Sequence, residues 1–255
     1  MKKLFLLSIL FLALVSCKKT IELDLKDSGS RIVIEGNLSN SDQAMVRLSI
    51  STGFNENNTF SGVKNAVVTI KNDKGDQYLL AEIQPGVYTN SLKGVPGHSY
   101  QLTVSTEGRT YTAVSHMPAP VKLDSIQVQK DILFGKTVYS AIAYYFDPAG
   151  LGNYYKFTET VNQKKSPEIW VWDDRILDGR QSSVPLFQAE SDIHVGDTVK
   201  IEMQCVDKNV YRYFTSLQNV RTSNAAPANP ETNINGGALG YFSARTTDTK
   251  QIVAR

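Results

Sequence analysis

The chain has 255 residues, of which 27 are lysine or arginine, 25 are aspartate or glutamate and 41% are hydrophobic. This balanced charge, without a basic stripe of interleaved aromatic residues, gives little support to nucleic-acid binding, and we expect no nucleic-acid partner. The length suffices for one large domain or two smaller ones, each with its own hydrophobic core.

The first 16 residues have the composition of a secretory leader. Lys2 and Lys3 precede the apolar run Leu4–Val15. A helix needs roughly 20 apolar residues to cross a bilayer, so this shorter run is typical of a signal peptide that is removed. We therefore predict a signal peptide at residues 1–16. Its removal takes away two lysines and no acidic residue, which leaves a net charge near zero.

The leader ends in the sequence LVSC, whose last residue is Cys17. This ending resembles the bacterial lipobox, in which the cysteine thiol receives a diacylglyceryl group and the new amine is acylated after cleavage. A thiol suits that reaction because its thiolate is a good nucleophile. We predict lipid attachment at Cys17 and a tether over residues 17–30, since two or more acyl chains anchor a protein stably to membrane lipid. The alternative is a secreted protein in which Cys17 has no special role.

Residues 31–117 are predicted to form an antiparallel β-sandwich of immunoglobulin or transthyretin-like type. Seven short segments alternate apolar and polar residues, and turn sequences separate most of them. Examples of such turns are NDKGD at 72–76 and STEGRT at 105–110, where a glycine can adopt a positive φ angle.

The two prolines of MPAPVKLDS, at 117–125, interrupt the alternation and predict a domain boundary. Residues 118–255 are predicted to form a second, mainly antiparallel β domain, which makes the fold class all-β. One of its strands, VKIEMQCV, alternates so that Cys205 lies on the buried face. A free cysteine packs there as a small apolar residue.

One segment has a helical rather than a strand period. Val210, Phe214 and Leu217 recur at helical spacing, and Asp207 is a suitable N-cap. We predict a helix over residues 207–222 that packs across a sheet.

Side chains that could carry chemistry are few in the sequence. The histidines (His98, His116 and His194) have no zinc-ligand spacing, so we expect no metal and no cofactor. The glycines of NGGALG, at 235–240, precede a strand rather than a helix and are a weak signal for phosphate binding. Asp173, Asp174 and Asp178 either perform acid–base chemistry on a glycoside or belong to a hairpin turn.

The aromatic pair Trp170 and Trp172 is the clearest candidate for ligand binding. The two residues are two positions apart in EIWVWDD, so their rings share one face of a strand. On a solvated face they would form a platform for sugar rings or peptide side chains. On a buried face they would fill the core.

The segments CKKTIELDL, RIVIEGNLS, FDPAGLGNYYKF and NINGGALGYFSA together resemble a Bacteroidetes outer-membrane lipoprotein family, the domain of unknown function DUF4249. The resemblance covers nearly the whole mature chain, with a shorter stretch between Tyr139 and Asp197. It implies an outer-membrane lipoprotein, often encoded near TonB-dependent receptors, and it carries no catalytic residues.

We therefore predict a non-enzymatic accessory or binding module anchored in the cell outer membrane. Its expected partners are membrane lipid, an outer-membrane receptor, and a glycan or peptide ligand. The candidate binding residues are Trp170, Trp172, Asn235 and Tyr241. One alternative is a surface protein that binds or hydrolyses glycans. Another is a sandwich that adds a strand to a partner's sheet, which an edge strand without lysine or proline would favour.

Overall fold

A computed structural model describes residues 30–51, 61–133, 135–187, 193–222 and 229–255. The predicted signal peptide, Cys17 and the tether up to residue 29 lie outside these residues. The described part of the chain is all-β with one helix, which confirms the predicted fold class. It contains no helix with the length and apolarity needed to cross a membrane.

The first half contains the seven strands that the alternation predicts. They are β1 (Ile32–Ser39), β2 (Ala44–Ile50), β3 (Val67–Asn72), β4 (Gln77–Gln84), β5 (Val87–Asn90), β6 (Ser99–Thr106) and β7 (Arg109–His116). The predicted turn between β6 and β7 is a two-residue connection in which Glu107 and Gly108 have φ angles of 50° and 73°. Two successive positive φ angles are the signature of the type I′ hairpin turn.

These strands form two sheets that share β4. One sheet has the order β1-β2-β5-β4, and the other has the order β4-β3-β6-β7. Strand β4 passes from one sheet to the other after Leu80, since Gln77–Leu80 pair with β3 and Ala81–Gln84 pair with β5. A register shift between Glu82 and Gln84 lies just beyond this point, within the pairing with β5. The core between the sheets includes Ile34, Leu38, Leu48, Ile70, Tyr88 and Leu102.

The second half contains nine further strands and the helix. The strands are β8 (Leu123–Leu133), β9 (Lys136–Phe146), β10 (Tyr154–Val161), β11 (Lys164–Lys165), β12 (Trp170–Asp173), β13 (Gln181–Leu186), β14 (Thr198–Val206), β15 (Ile234–Asn235) and β16 (Leu239–Val253). The three-stranded sheet β13-β9-β8 packs on the sheet formed by β10, β14 and β16. Cys205 lies in the core between them and is 4% exposed, as its strand period predicts.

The helix α1 (Lys208–Thr222) packs on the other face of the β10–β14–β16 sheet and confirms the predicted helix. Its apolar stripe contacts strand residues through Val210, Phe214 and Leu217. Asp207 caps it as predicted, since Asp207 Oδ1 accepts hydrogen bonds from two amides of the first turn at 2.9 Å each.

Strand β16 belongs to both halves of the molecule. Its first part, Leu239–Arg245, pairs in parallel with β1, and its second part, from Thr246 to Val253, pairs antiparallel with β14. The short strand β15 also joins the first half, where it pairs with β7. The predicted boundary between residues 117 and 118 stays a prediction. Residues 234–245 follow this boundary in sequence, but they pack in the core of the first sandwich.

Candidate functional site

The two tryptophans share one face of β12, but their environments differ. Trp170 is partly buried against the second core, and its Nε1 donates a hydrogen bond to the carbonyl oxygen of Phe187 at 3.3 Å. Trp172 is 39% exposed. Trp170 therefore packs mainly in the core, while the ring of Trp172 is accessible to a ligand.

Tyr241 packs beneath helix α1 rather than facing solvent. Its ring lies 5.0 Å from that of Tyr213 and 4.8 Å from that of Phe214, between centroids. Burial raises the pKa of the Tyr241 phenol, so this hydroxyl stays neutral. Tyr241 thus helps to hold the helix on the sheet and offers little surface to a ligand.

In the glycine-rich segment 235–240, the backbone geometry explains why residue 240 is a glycine. This residue has a φ angle of +98°, and a Cβ atom there would lie 2.1 Å from the carbonyl oxygen of Ile34. Only glycine fits where β16 approaches β1 this closely. The segment is therefore needed for strand pairing, independently of any phosphate ligand.

Asn235 is exposed and lies beside a cleft of about 360 Å³ at the junction of the two halves. We call this the junction cleft. Its walls come from β7, from the first turns of α1 and from the segment that leads into β15. The lining residues are Val114, Asn209, Arg212, Glu231, Thr232, Asn233 and Asn235.

The side chain of Asp207 fixes the helix that forms one wall of the junction cleft. While its Oδ1 caps the helix, its Oδ2 accepts hydrogen bonds from the Ser115 hydroxyl and, at 3.1 Å, from the His116 amide on β7. The hydroxyl oxygen of Ser115 in turn accepts the amide of Ala244 at 2.9 Å. One carboxylate therefore ties α1, β7 and β16 together.

The opposite wall is fixed by side chains of the segment before β15. Asn233 Nδ2 donates a hydrogen bond to the carbonyl oxygen of Phe242 at 2.8 Å, and Asn233 Oδ1 accepts one from the backbone amide of Phe242 at 2.9 Å. In the part of the chain that the structure describes, the side chains of Asn209, Arg212 and Asn235 make no hydrogen bond. The cleft thus presents two amides, a guanidinium and the exposed carboxylate of Glu231, which suits a polar ligand.

A second group of polar residues lies between the β9–β10 loop and the loop after β12. One carboxylate oxygen each of Asp147, Asp174 and Asp178 lies within 4.8 Å of the other two, an arrangement that could hold a metal ion. Asp147 and Asp174 are only 1% and 3% exposed. Burial, with Asp174 and Asp178 nearby, raises the pKa of Asp147.

Hydrogen bonds already stabilise these carboxylates. Asp174 accepts the amides of Gly152 and Asn153 at 2.7 Å each, and Asp178 accepts the amide of Gly150 at 2.6 Å. These hydrogen bonds hold the glycine-rich β9–β10 loop against the loop that follows β12, whether or not an ion is present.

Of the three carboxylates singled out in the sequence, the structure brings Asp174 and Asp178 together. Asp173 points elsewhere and binds Arg175 and the Tyr211 hydroxyl, at 2.8 and 2.9 Å. Sequence reasoning missed Asp147. Its signal was the FDPAGLGNYY segment, in which an acidic residue precedes a glycine-rich loop.

A buried lysine lies beneath helix α1. Lys156 on β10 is 8% exposed, its Nζ donates to Gln204 Oε1 at 3.2 Å, and the ammonium lies 4.4 Å from the ring centroid of Phe214. Burial, reinforced by the positive charges of Arg245 and Lys165, lowers the pKa of Lys156 to about 7.

The substitution Lys156→Met is expected to raise the free energy of unfolding by about 1–2 kcal/mol at pH 6.5. Loss of the desolvation penalty outweighs the hydrogen bond lost at Gln204. The pKa of the lysine is lower in the folded state, so the folded protein binds fewer protons between pH 7 and 10.5. Wild-type stability therefore rises through this window, and the advantage of the variant should shrink by pH 9.5.

Urea unfolding at both pH values measures this effect, with Lys200→Met on the exposed side of β14 as the control. The control should differ little from wild type at either pH. An equal gain for Lys156→Met at pH 6.5 and 9.5 would contradict the explanation by a buried charge.

The chain belongs to the family described as a domain of unknown function, DUF4249, whose model matches residues 18–251. No curated protein matches it in sequence. Similar solved structures include a two-domain fibronectin type III segment of chicken tenascin, with 11% identity, coverage of 70% of this chain and 92% of that one, and a TM-score of 0.25. Another is the chicken interferon gamma receptor alpha chain, with 8% identity, coverage of 69% and 89%, and a TM-score of 0.23. The FN1–FN3 domains of chicken CNTN1 have 11% identity, coverage of 87% and 66%, and a TM-score of 0.25.

Proposed function

We propose that this member of the DUF4249 family is an outer-membrane lipoprotein, held by lipid on Cys17, that acts as a non-enzymatic accessory or binding module. The observation that carries the proposal is the lipobox-like ending LVSC, a short distance before the first described residue, Ser30. An extended chain spans at most about 3.5 Å per residue, so this tether reaches about 45 Å from the membrane surface.

The construction of the junction supports a role in binding. Strand β16 pairs with strands of both halves, and the Asp207 carboxylate bonds α1 to β7, so the walls of the junction cleft are linked to each other. Pre-organised walls reduce the entropy lost when a ligand binds. We assign the ligand or receptor contact to this cleft, with Asn235 and Arg212 as its accessible polar groups.

The substitution Cys17→Ala is expected to move the protein from the membrane fraction to the soluble fraction, by at least about tenfold, because the acyl chains provide the attachment. Labelling with radioactive palmitate should be lost at the same time. Cys205→Ala is the matched control. It removes the buried thiol and should leave both fractionation and labelling unchanged. A Cys17→Ala protein that stays in the membrane fraction would contradict the tether.

A surface protein that binds glycans is the second candidate, and the exposed ring of Trp172 favours it. Aromatic rings on a strand give sugar rings a flat apolar face to stack on. Hydrolysis of the glycan has less support. Asp147 and Asp174 are buried and accept protein hydrogen bonds, so a glycosidic oxygen has no path to them.

A further inference from the structure

Strand β8 has one open edge in the described part of the chain. It pairs with β9 on one side and ends the order β13-β9-β8 on the other. At its start, the amide of Leu123 donates to Asp248 Oδ2 at 2.8 Å, which covers that end. The opposite edge strand, β13, is short and carries Pro185, which has no amide hydrogen to donate to an added strand. Lys130 on β8 keeps its amide, and its charge opposes only those registers that place two lysines opposite each other.

The hairpin register shows which backbone groups of β8 are open. Leu133 pairs with Lys136 across a two-residue connection, so these two residues exchange both hydrogen bonds, and the pattern alternates along the ladder. Four residues of β8 consequently direct their N–H and C=O groups away from β9. They are Ile126, Val128, Lys130 and Ile132, and none of them bonds another described residue through these groups.

We propose that this edge binds the same edge of a second copy of the chain, antiparallel and with the two-fold axis at Gln129. In this register Ile126 pairs with Ile132 of the second copy, and Val128 pairs with Lys130. All four open residues then gain partners. Registers centred on neighbouring residues leave open groups unpaired or place the two Lys130 side chains directly opposite each other.

The side chains on this edge fit the same register. Ile132 is 75% exposed, and pairing brings it opposite the apolar Ile126. On the outer face, Gln127 faces Asp131 of the second copy, where its amide can donate to the carboxylate. No like charges lie directly opposite each other, and Gln129 lies opposite Gln129 of the second copy. The product is a continuous six-stranded sheet, β13-β9-β8-β8-β9-β13.

Disulfide formation tests the register directly. Residues opposite each other in a pair without mutual hydrogen bonds have Cα atoms about 4.5 Å apart, within the range that a disulfide spans. Copper phenanthroline oxidation of the lipidated Gln129→Cys protein in native membranes should therefore give a disulfide-linked dimer. Gln127→Cys, two residues away on the same face, should give at least about tenfold less dimer. Position 127 of one copy lies opposite position 131 of the other, so the two cysteines would be about four residues apart along the strands.

A proline variant checks that the backbone edge carries the contact. Lys130→Pro removes an amide that β9 does not use, so the hairpin stays intact while the dimer of Gln129→Cys should be lost. Unchanged thermal unfolding establishes that this variant folds. Equal crosslinking at positions 127 and 129, no crosslinking at either, or a Gln129→Cys adduct only with another protein would each overturn the proposal. The lipid tether is tested separately by Cys17→Ala.

Discussion

Replacement of Asp207 by alanine is expected to lower the free energy of unfolding by about 2–4 kcal/mol. The loss of a helix N-cap costs about 1 kcal/mol. The Ser115 hydroxyl and the His116 amide also lose a charged acceptor, and hydrogen bonds to charged groups contribute about 1.5–3 kcal/mol. Urea unfolding measures the sum, and protease sensitivity in the 117–125 linker should rise as the junction loosens.

Asp207→Ser separates the two contributions. A serine side chain can still cap the first turn of α1, but it is too short to reach Ser115 on β7 as well. This variant should recover about 1 kcal/mol relative to Asp207→Ala while the linker stays sensitive to protease. If Asp207→Ser restored both stability and protease resistance, the bridge to β7 would contribute nothing.

Replacement of Gly240 by alanine is expected to destabilise the protein by at least about 3 kcal/mol, among the larger effects of a single substitution. The new Cβ would meet the carbonyl oxygen of Ile34 at 2.1 Å, and backbone cannot move aside as a flexible side chain can. Strand β16 would have to separate from β1, so both halves should lose stability together. Thermal unfolding measures this loss.

Gly75 provides a matched control, because its φ angle of +99° is nearly that of Gly240 while a Cβ atom added there would have no neighbouring atom within 4 Å. Gly75→Ala therefore reports the backbone strain alone, about 1 kcal/mol. Similar losses for the two variants would show that the contact between β16 and β1 is unimportant.

Local patterns in the sequence were sufficient to predict the seven strands of the first half, the strand that holds Cys205 and the helix, but not the two-residue strands β11 and β15. The alternation around Cys205 placed the thiol in the core, and the stripe of Val210, Phe214 and Leu217 identified the helix packed on the sheet. These predictions succeed because period and capping depend on neighbours within a few residues.

The arrangement of the two halves was not predictable from the same patterns. Period-two alternation shows which face of β16 is buried but gives no information on its partner strands, and a parallel pairing of β1 with β16 joins opposite ends of the chain. The bridge between Ser115 and Asp207 likewise spans 92 positions in sequence.

The candidate binding residues show the same limit. Alternation placed Trp170 and Trp172 on one face correctly, yet only the packing of neighbouring strands decides that Trp170 is covered and Trp172 is exposed. Tyr241 and Asn235 lie close together in sequence, but one packs under α1 and the other lines the junction cleft.

The most direct test of the accessory role is co-purification of the native lipoprotein in mild detergent, with the Cys17→Ala protein as the control. On the proposed attachment through Cys17, we predict that an outer-membrane receptor co-purifies with the native form and not with Cys17→Ala, because the acyl chains would bring the junction cleft to the membrane. Recovery of the lipidated protein without any membrane partner, under conditions that keep other envelope complexes intact, would contradict this account.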